Sequence, residues 1–324
     1  MTTVSVLLPA RDAAPYLREA IDSVLRQTMP DFELIVVDDA SSDATPEVLA
    51  SIDDPRLRVV RNDAPLGIAG ALGRGLALCR GRFIARMDAD DLCAPQRFAM
   101  QLAWLDAHRD AGACGSWVRM FCDGWQRDRR LESDPERIRC ALLLFNTMSD
   151  PSAMLRRELV EEVGYDPSFV TAADYDFWAR ANRRCRLGNV RALLLHYRVH
   201  GAQIGGRRPL RVAEADRIRR AQLEDIGVAL TPEEEALHHS VGRAELPPSL
   251  DAAASWMEKI VEAKDGFCDR RVLRAVLSEQ LLLAVGRNAP RLLGRVAALI
   301  TPRTIVSFAT RRFDDRRRET NRPA

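Results

Sequence analysis

Arg82-Phe-Ile-Ala-Arg-Met-Asp-Ala-Asp-Asp91 is a short apolar climb that ends in three carboxylates within four positions. Residues two apart on an extended chain point to the same side, so Asp88 and Asp90 project together from a strand end. In an α/β sheet that end is where a ligand sits. Neighbouring carboxylates repel, and the repulsion is relieved by a cation or by hydrogen-bond donors between them. Hard oxygen ligands of this kind suit Mg2+ or Mn2+ shared with substrate phosphates. The competing reading makes Asp88 to Asp91 a polar turn and an N-cap for a helix starting near Pro95.

The flanking chain supplies an α/β context. Val4 to Leu8 and Phe32 to Val37 are apolar runs of strand length, and Leu57 to Val60 is a third. Between them Leu17, Ala20, Ile21, Val24 and Leu25 recur at helical spacing, with Pro15 in a first turn that Asp12 is placed to cap. Helices over Thr45–Ile52 and Ile68–Cys79 complete the alternation, which predicts right-handed crossovers and a mainly parallel sheet flanked by helices. Further on, helices are expected over 96–108, 133–145, 157–163 and 173–184. Strands are expected over 113–122 and 190–199, with 150–155 extended. After Gly205-Gly206 the pattern becomes helical throughout, in four segments between 210 and 286. The expected organisation is therefore an α/β domain over 1–205 and a helical C-terminal extension over 206–324.

Composition narrows the function. With 47% hydrophobic and 29% charged residues among 324, the chain is an ordinary globular protein. A formal net charge of +2 gives no field for nucleic acid, which is excluded as a partner. The seven cysteines form no CxxC pair, which fits a reducing compartment. The start lacks a signal-peptide pattern, and no run reaches the roughly 18 to 20 apolar residues that span a bilayer. The expected location is cytoplasmic. Residues 265–324 hold thirteen Arg against six Asp plus Glu, a balance of +7, which leaves −5 for the remainder. Leu292, Leu293, Val296, Leu299 and Ile300, flanked by Arg291, Arg295 and Arg303, form an amphipathic face. It suits either peripheral contact with the inner membrane face or packing on its own domain.

Asp38 and Asp39 follow the second strand directly and sit at its carboxyl end. Successive residues point oppositely, so one faces a ligand pocket and the other is read as capping the helix after Ser42; an Asx turn made by both is the alternative. Arg86, opposite Met87, is read as facing neither aspartate. No GxGxxG or GxxxxGK[ST] cradle occurs, so a bound nucleotide depends on carboxylates, a metal and scattered Arg.

In order along the chain, Val4-Ser-Val-Leu-Leu-Pro-Ala-Arg11, Ile21-Asp-Ser-Val-Leu-Arg-Gln-Thr28, Phe32-Glu-Leu-Ile-Val-Val-Asp-Asp-Ala-Ser-Ser-Asp43 and Ala77 to Asp91 resemble family 2 glycosyltransferases of the GT-A fold. Asp150-Pro-Ser-Ala-Met-Leu-Arg-Arg157, Ala172-Ala-Asp-Tyr-Asp-Phe-Trp-Ala-Arg180 and Tyr197-Arg-Val-His200 continue the resemblance, which covers roughly residues 3 to 205. It implies a Rossmann-like nucleotide-diphospho-sugar fold, a nucleotide-diphosphate sugar donor, a divalent metal and inversion at the anomeric carbon. By position, Pro9 and Arg11 lie on the donor side and Asp39 meets the nucleobase. Asp88 meets ribose or metal, Asp90 is the principal metal ligand, and Asp91 stays structural. Asp174 is the general base; capping the helix with Asp176 is the alternative. His200 approaches metal or diphosphate, with a surface loop as the alternative. The resemblance is imperfect at Ala173, where the family often has Glu, and at Gly73, where it often has Asn. No QxxRW motif follows, which favours single transfer over processive synthesis. The acceptor is expected to be a saccharide or lipid-linked glycan in surface polysaccharide synthesis. A catalytically silent nucleotide-sugar binder and a nucleotidyltransferase are the other readings.

Overall fold

Four parallel strands make the first half of a nine-stranded sheet in the computed structural model, which describes residues 2–201, 208–263 and 266–293. Strand β1 (Val4–Ala10) lies inside the sheet and is wholly buried, as a run that is apolar but for Ser5 favours. It pairs with β2 (Phe32–Asp38) from Val4↔Phe32 to Ala10↔Asp38, and on its other side with β4 (Phe83–Arg86) from Val4↔Phe83 to Leu7↔Arg86. β3 (Leu57–Arg61) pairs with β2 at the edge. The crossovers are α1 (Ala14–Leu25), α2 (Thr45–Ala50) and α3 (Gly67–Leu76). These registers put the ends of β1, β2 and β4 side by side on one edge.

Beyond β4 the sheet becomes mixed, so four of its eight strand pairings are antiparallel. β8 (Met154–Arg156) runs against β4, and β6 (Ala111–Cys122) runs against β8. β9 (Arg186–Arg198) is parallel to β6, with β5 (Leu92–Cys93) antiparallel at its edge and β7 (Trp125–Arg129) folded back on β6. Two consequences matter for the site. The turn Asp150–Ser152, which leads into β8, lies beside the end of β4, where Arg86 N donates to Ala153 O at 2.9 Å. The Leu92↔His196 pairing carries the end of β9 to the Asp88–Asp91 turn.

The remaining helices of this part are α4 (Arg97–Ala107), α5 (Pro135–Ala141), α6 (Arg157–Val163) and α7 (Ala173–Ala181). Helix α5 is shorter than the 133–145 expected, and β5 and β7 were not expected at all. Asp12 does not cap α1, which has no side-chain cap of its own. Its first amides are taken from the 41–45 loop instead: Ala13 N donates to Thr45 Oγ1 at 2.9 Å and Ala14 N to Asp43 Oδ2 at 3.0 Å.

By packing, the chain forms two units. One comprises residues up to Ile138 together with Asn146–Ala215; the other comprises Arg139–Phe145 together with residues from Asp216 onward. Helix α8 (Arg208–Asp225) contributes to both, so the packing boundary falls inside a helix. The second unit contains α9 (Pro232–Gly242), α10 (Leu250–Val261) and α11 (Arg270–Asn288) around buried Trp256, Ile260 and Leu277. Each is capped by its own sequence, through the Thr231/Glu234 capping box, Ser249 and Asp269. Among the described residues no helix is long and apolar enough to cross a membrane. Most of the amphipathic face expected over 292–300 lies outside them.

Candidate active site

The turn after β4 gathers Asp88, Asp90 and Asp91, with carboxylate oxygens within 4.8 Å of one another. All three stand past the end of β4, so the turn at Ala89-Asp90, rather than strand alternation, brings them together. Asp91 is fully buried, and its Oδ1 accepts from Arg198 N at 2.9 Å. Its Oδ2 has no hydrogen-bond partner. Burial pushes the Asp91 carboxyl well above the usual carboxylate range, and repulsion from Asp88 and Asp90 adds to it. Burial also raises Asp88, with Arg86 opposing and Asp90 reinforcing the shift. Three hard oxygen donors, one of them buried and unpartnered, fit Mg2+ or Mn2+. Asp91 thus ties the turn to the end of β9 through Oδ1 and keeps a second, unpartnered oxygen.

Arg86 contradicts its sequence reading. Positions 86 and 88 share a face by alternation, and Arg86 Nη2 donates to Asp88 Oδ1 at 2.6 Å. Its Nε lies 2.9 Å from Asp150 Oδ2, an ion pair by distance with the N–H aimed elsewhere. Tyr165 Oη donates to Asp150 Oδ1 at 3.1 Å. Burial drives Asp150 up to about 6 even though Arg86 pulls the other way, with Asp174 and Asp88 pushing in the same direction as burial. Below this network Arg97, fully buried, donates to Arg86 O at 2.7 Å and Ala153 O at 3.0 Å. Asp150 and Tyr165 were not singled out from sequence. Asp150 stood inside a quoted segment, whereas nothing marked Tyr165.

Asp174 occupies the first turn of α7, and its Oδ2 accepts from Asn146 Nδ2 at 2.9 Å. Burial raises its carboxyl; exposed Arg211 and the first amides of α7 oppose that, and Asp88 adds to it. Asp88, Asp150 and Asp174 therefore share one electrostatic neighbourhood. Asp176 is turned away, paired with Arg180 on its own helix.

On the β2 side both aspartates are buried and engaged. Asp38 Oδ1 accepts from Ser41 N at 2.9 Å, and Asp38 Oδ2 lies 3.0 Å from Arg61 Nη1. Asp39 Oδ1 accepts from Asn62 Nδ2 at 2.6 Å and Leu66 N at 2.8 Å; its Oδ2 accepts from Gly67 N at 2.9 Å. Asp39 thereby pins the 62–67 loop to the sheet edge. Neither residue caps α2, where Asp43 Oδ1 accepts from Thr45 N at 2.9 Å. Pro9 is buried in β1 beside Val37, and exposed Arg11 lies 3.8 Å from Asp12.

His200 meets the acidic turn, with Nε2 2.8 Å from Asp90 Oδ2 and its ring 4.6 Å from that of Tyr16. Arg198, which stood only inside a quoted segment, fastens the turn to β9. Its Nε donates to Asp90 O at 2.9 Å, and its guanidinium lies over the Tyr16 and Phe121 rings.

The fold has known counterparts. The S. aureus TarS fragment 1–349 in complex with UDP-GlcNAc superposes with a TM-score of 0.60 at 19% identity, covering 88% of this chain and 87% of that one. Mannosyltransferase PcManGT from Pyrobaculum calidifontis, in complex with GDP-Man and Mn2+, gives 0.51 at 21% identity over 95% and 78%. The fold is thus that of the GT-A glycosyltransferases. In sequence, the family described as Glycosyl transferase family 2 matches residues 5–164. A putative teichuronic acid biosynthesis glycosyltransferase, TuaG of Bacillus subtilis, is 30% identical over 54% of this chain and 70% of its own length. An uncharacterised glycosyltransferase of Haemophilus influenzae is 30% identical over 62% of this chain, which spans 66% of that relative. The chain belongs to glycosyltransferase family 2.

Proposed function

We propose that the protein transfers a sugar, with inversion, from a nucleotide-diphosphate sugar to a hydroxyl of a saccharide or lipid-linked acceptor during surface-glycan synthesis. The observation that carries this reading is the Asp88/Asp90/Asp91 cluster, with its buried unpartnered oxygen, in electrostatic contact with Asp174. Asp174 removes the acceptor's proton as its oxygen attacks the anomeric carbon. The new C–O bond forms on the face opposite the departing diphosphate, which leaves with the electron pair of the broken bond. No covalent intermediate forms, so no nucleophilic side chain is needed. Burial makes Asp174 a stronger base than an exposed aspartate, while Asn146 fixes its orientation. Asp88, Asp90 and Asp91, with His200 Nε2 beside Asp90, would hold a divalent cation, which would supply positive charge to the leaving diphosphate. The 62–67 loop pinned by Asp39 walls the nucleobase side, with Pro9 and Arg11 at the neighbouring strand end.

The chemistry suits the cytoplasm, where sugar nucleotides are made, and the +7 charge balance of residues 265–324 suits contact with an anionic membrane surface. UDP-GlcNAc in TarS and GDP-Man with Mn2+ in PcManGT support the donor class and the metal. The test is release of nucleoside diphosphate from a panel of UDP-, GDP- and dTDP-sugars with Mn2+. EDTA and Asp90→Ala should abolish release, and Asp174→Asn should lower it by about 100-fold or more. Release that survives both substitutions would sink the proposal.

A further inference from the structure

We infer that Glu214 is a positioning residue for Asp174, acting by tying the loop before α7 to the start of α8; this rests on Asp174 as the general base. Helix α7 begins without a cap of its own, because Ala172 stands at the N-cap and Ala173 follows. Neither alanine offers an oxygen to the chain that leads into the helix. Glu214 supplies it from 42 residues away. Its Oε1 accepts from Val170 N at 2.8 Å. Its Oε2 accepts from Thr171 N at 2.8 Å, Thr171 Oγ1 at 2.7 Å and Ala172 N at 2.9 Å. Three successive amides and a hydroxyl thus converge on one buried carboxylate, which makes the backbone a concave anion cradle.

Geometry makes this more than a helix cap. Asp174 lies two residues beyond the last tethered amide, so its position follows that of the cradle. Its carboxylate is also held from the other side, by Asn146. One turn before Glu214 on α8, Arg211 contributes the positive potential that Asp174 feels. The same helical turn therefore fixes where the base stands and which charge it sees. Single neutral hydrogen bonds set a direction weakly; four donated to one carboxylate are charge-assisted and hold the loop more firmly.

Reactions that depend on a positioned base lose about 10²-fold when it is misplaced by about 1 Å. Glu214→Ala should lower kcat for Mn2+-dependent hydrolysis of the best sugar nucleotide of the UDP, GDP and dTDP series by about 10- to 100-fold. The donor KM should stay within about threefold, and the acid limb of the kcat–pH profile should move. Glu214→Gln and Thr171→Val each remove one acceptor or donor and should give smaller losses of the same kind. They keep the test alive if the alanine variant does not fold. Independently of activity, amide hydrogen exchange at 170–172 should be faster in all three variants.

In an Asp174→Asn background Glu214→Ala should cost nothing further, because the two act through one group. Unchanged exchange at 170–172 would overturn the inference. So would a full kcat in Glu214→Ala while Asp174→Asn is inactive, an outcome that leaves the base assignment standing. An active Asp174→Asn would remove the base assignment itself, and this inference with it.

Discussion

Replacing Asp150 by Asn should stabilise the first unit at neutral pH and leave it unchanged in acid. Asp150 is buried, with its side chain 7% exposed, so solvent screening offers little discount. Its carboxyl sits at about 6 in the folded chain against an ordinary 3.8. Because the folded value is the higher one, the protonated form is favoured by folding. That contribution is fully present below about pH 3.8 and is lost as the pH rises through about 6. The gap corresponds to about 3 kcal/mol at pH 7. Asn imitates the neutral acid in shape and does not titrate. The stability difference between Asp150→Asn and the parent should therefore grow from near zero at pH 4 to about 3 kcal/mol at pH 7. Since the chain packs as two units, a global melt mixes both. Native-state hydrogen exchange at the amides of β4 and β8, in EDTA, reads the affected unit alone. A parent more stable than Asp150→Asn at pH 7 would refute the reasoning, because it would show the Arg86–Asp150 pair outweighing the burial of its acid. A difference that does not vary with pH would refute it equally.

Gly81→Ala should destabilise by about 2 kcal/mol or more, since a Cβ there would stand 2.5 Å from the backbone of Ser5. Gly73→Ala meets nothing within 4 Å inside α3 and should stabilise by about 0.5–1 kcal/mol; denaturant midpoints compare the two. Arg97→Met should cost about 3 kcal/mol by the same measurement, because the carbonyls of Arg86 and Ala153 lose their buried donor. With Asp174 raised, hydrolysis of the donor should fall as the pH drops through a value above the ordinary 3.8, and Asp174→Asn should remove that acid limb.

Apolar periodicity made β1, β2, α4 and β9 legible, and α6 was bounded at the residues where it is found. β7 escaped because Trp125 to Arg129 is exposed along its whole length and carries no apolar alternation. β5 escaped because two residues make no pattern. The acidic turn was legible because its members are adjacent in sequence. The surroundings of Asp174 were not: Asn146 lies 28 residues before it and the Glu214 tether spans more than forty. Caps show the same contrast. Thr231/Glu234, Ser249 and Asp269 are written into the helices they start, whereas α1 and α7 are served by distant loops and helices. Local hydrogen-bond chemistry leaves a mark in the sequence, and tertiary hydrogen-bond chemistry leaves only an apparent defect such as Ala172-Ala173.

Asp88, Asp91, Asp150 and Asp174 are all raised by burial, and each for that reason works against folding as the pH rises. Arg86 is the buried cation set among them, and two of them already share it. A sheet edge assembled this way is poor for stability and good for holding positive charge, so protons and a divalent cation should compete for the same oxygens. The stabilisation given by Mn2+ at a fixed concentration should therefore be large at pH 7 and shrink as the pH falls to 5, read as hydrogen-exchange protection in β4. At a hundred times its dissociation constant the ion should contribute about 2.7 kcal/mol. Asp91→Asn should make the metal-free protein more stable and remove most of that gain, because it neutralises the buried oxygen that lacks a partner. A gain equal at both pH values would mean that the cation is held elsewhere and that the acidic turn is only a turn, and one retained in Asp91→Asn would leave Asp91 a purely structural member of it.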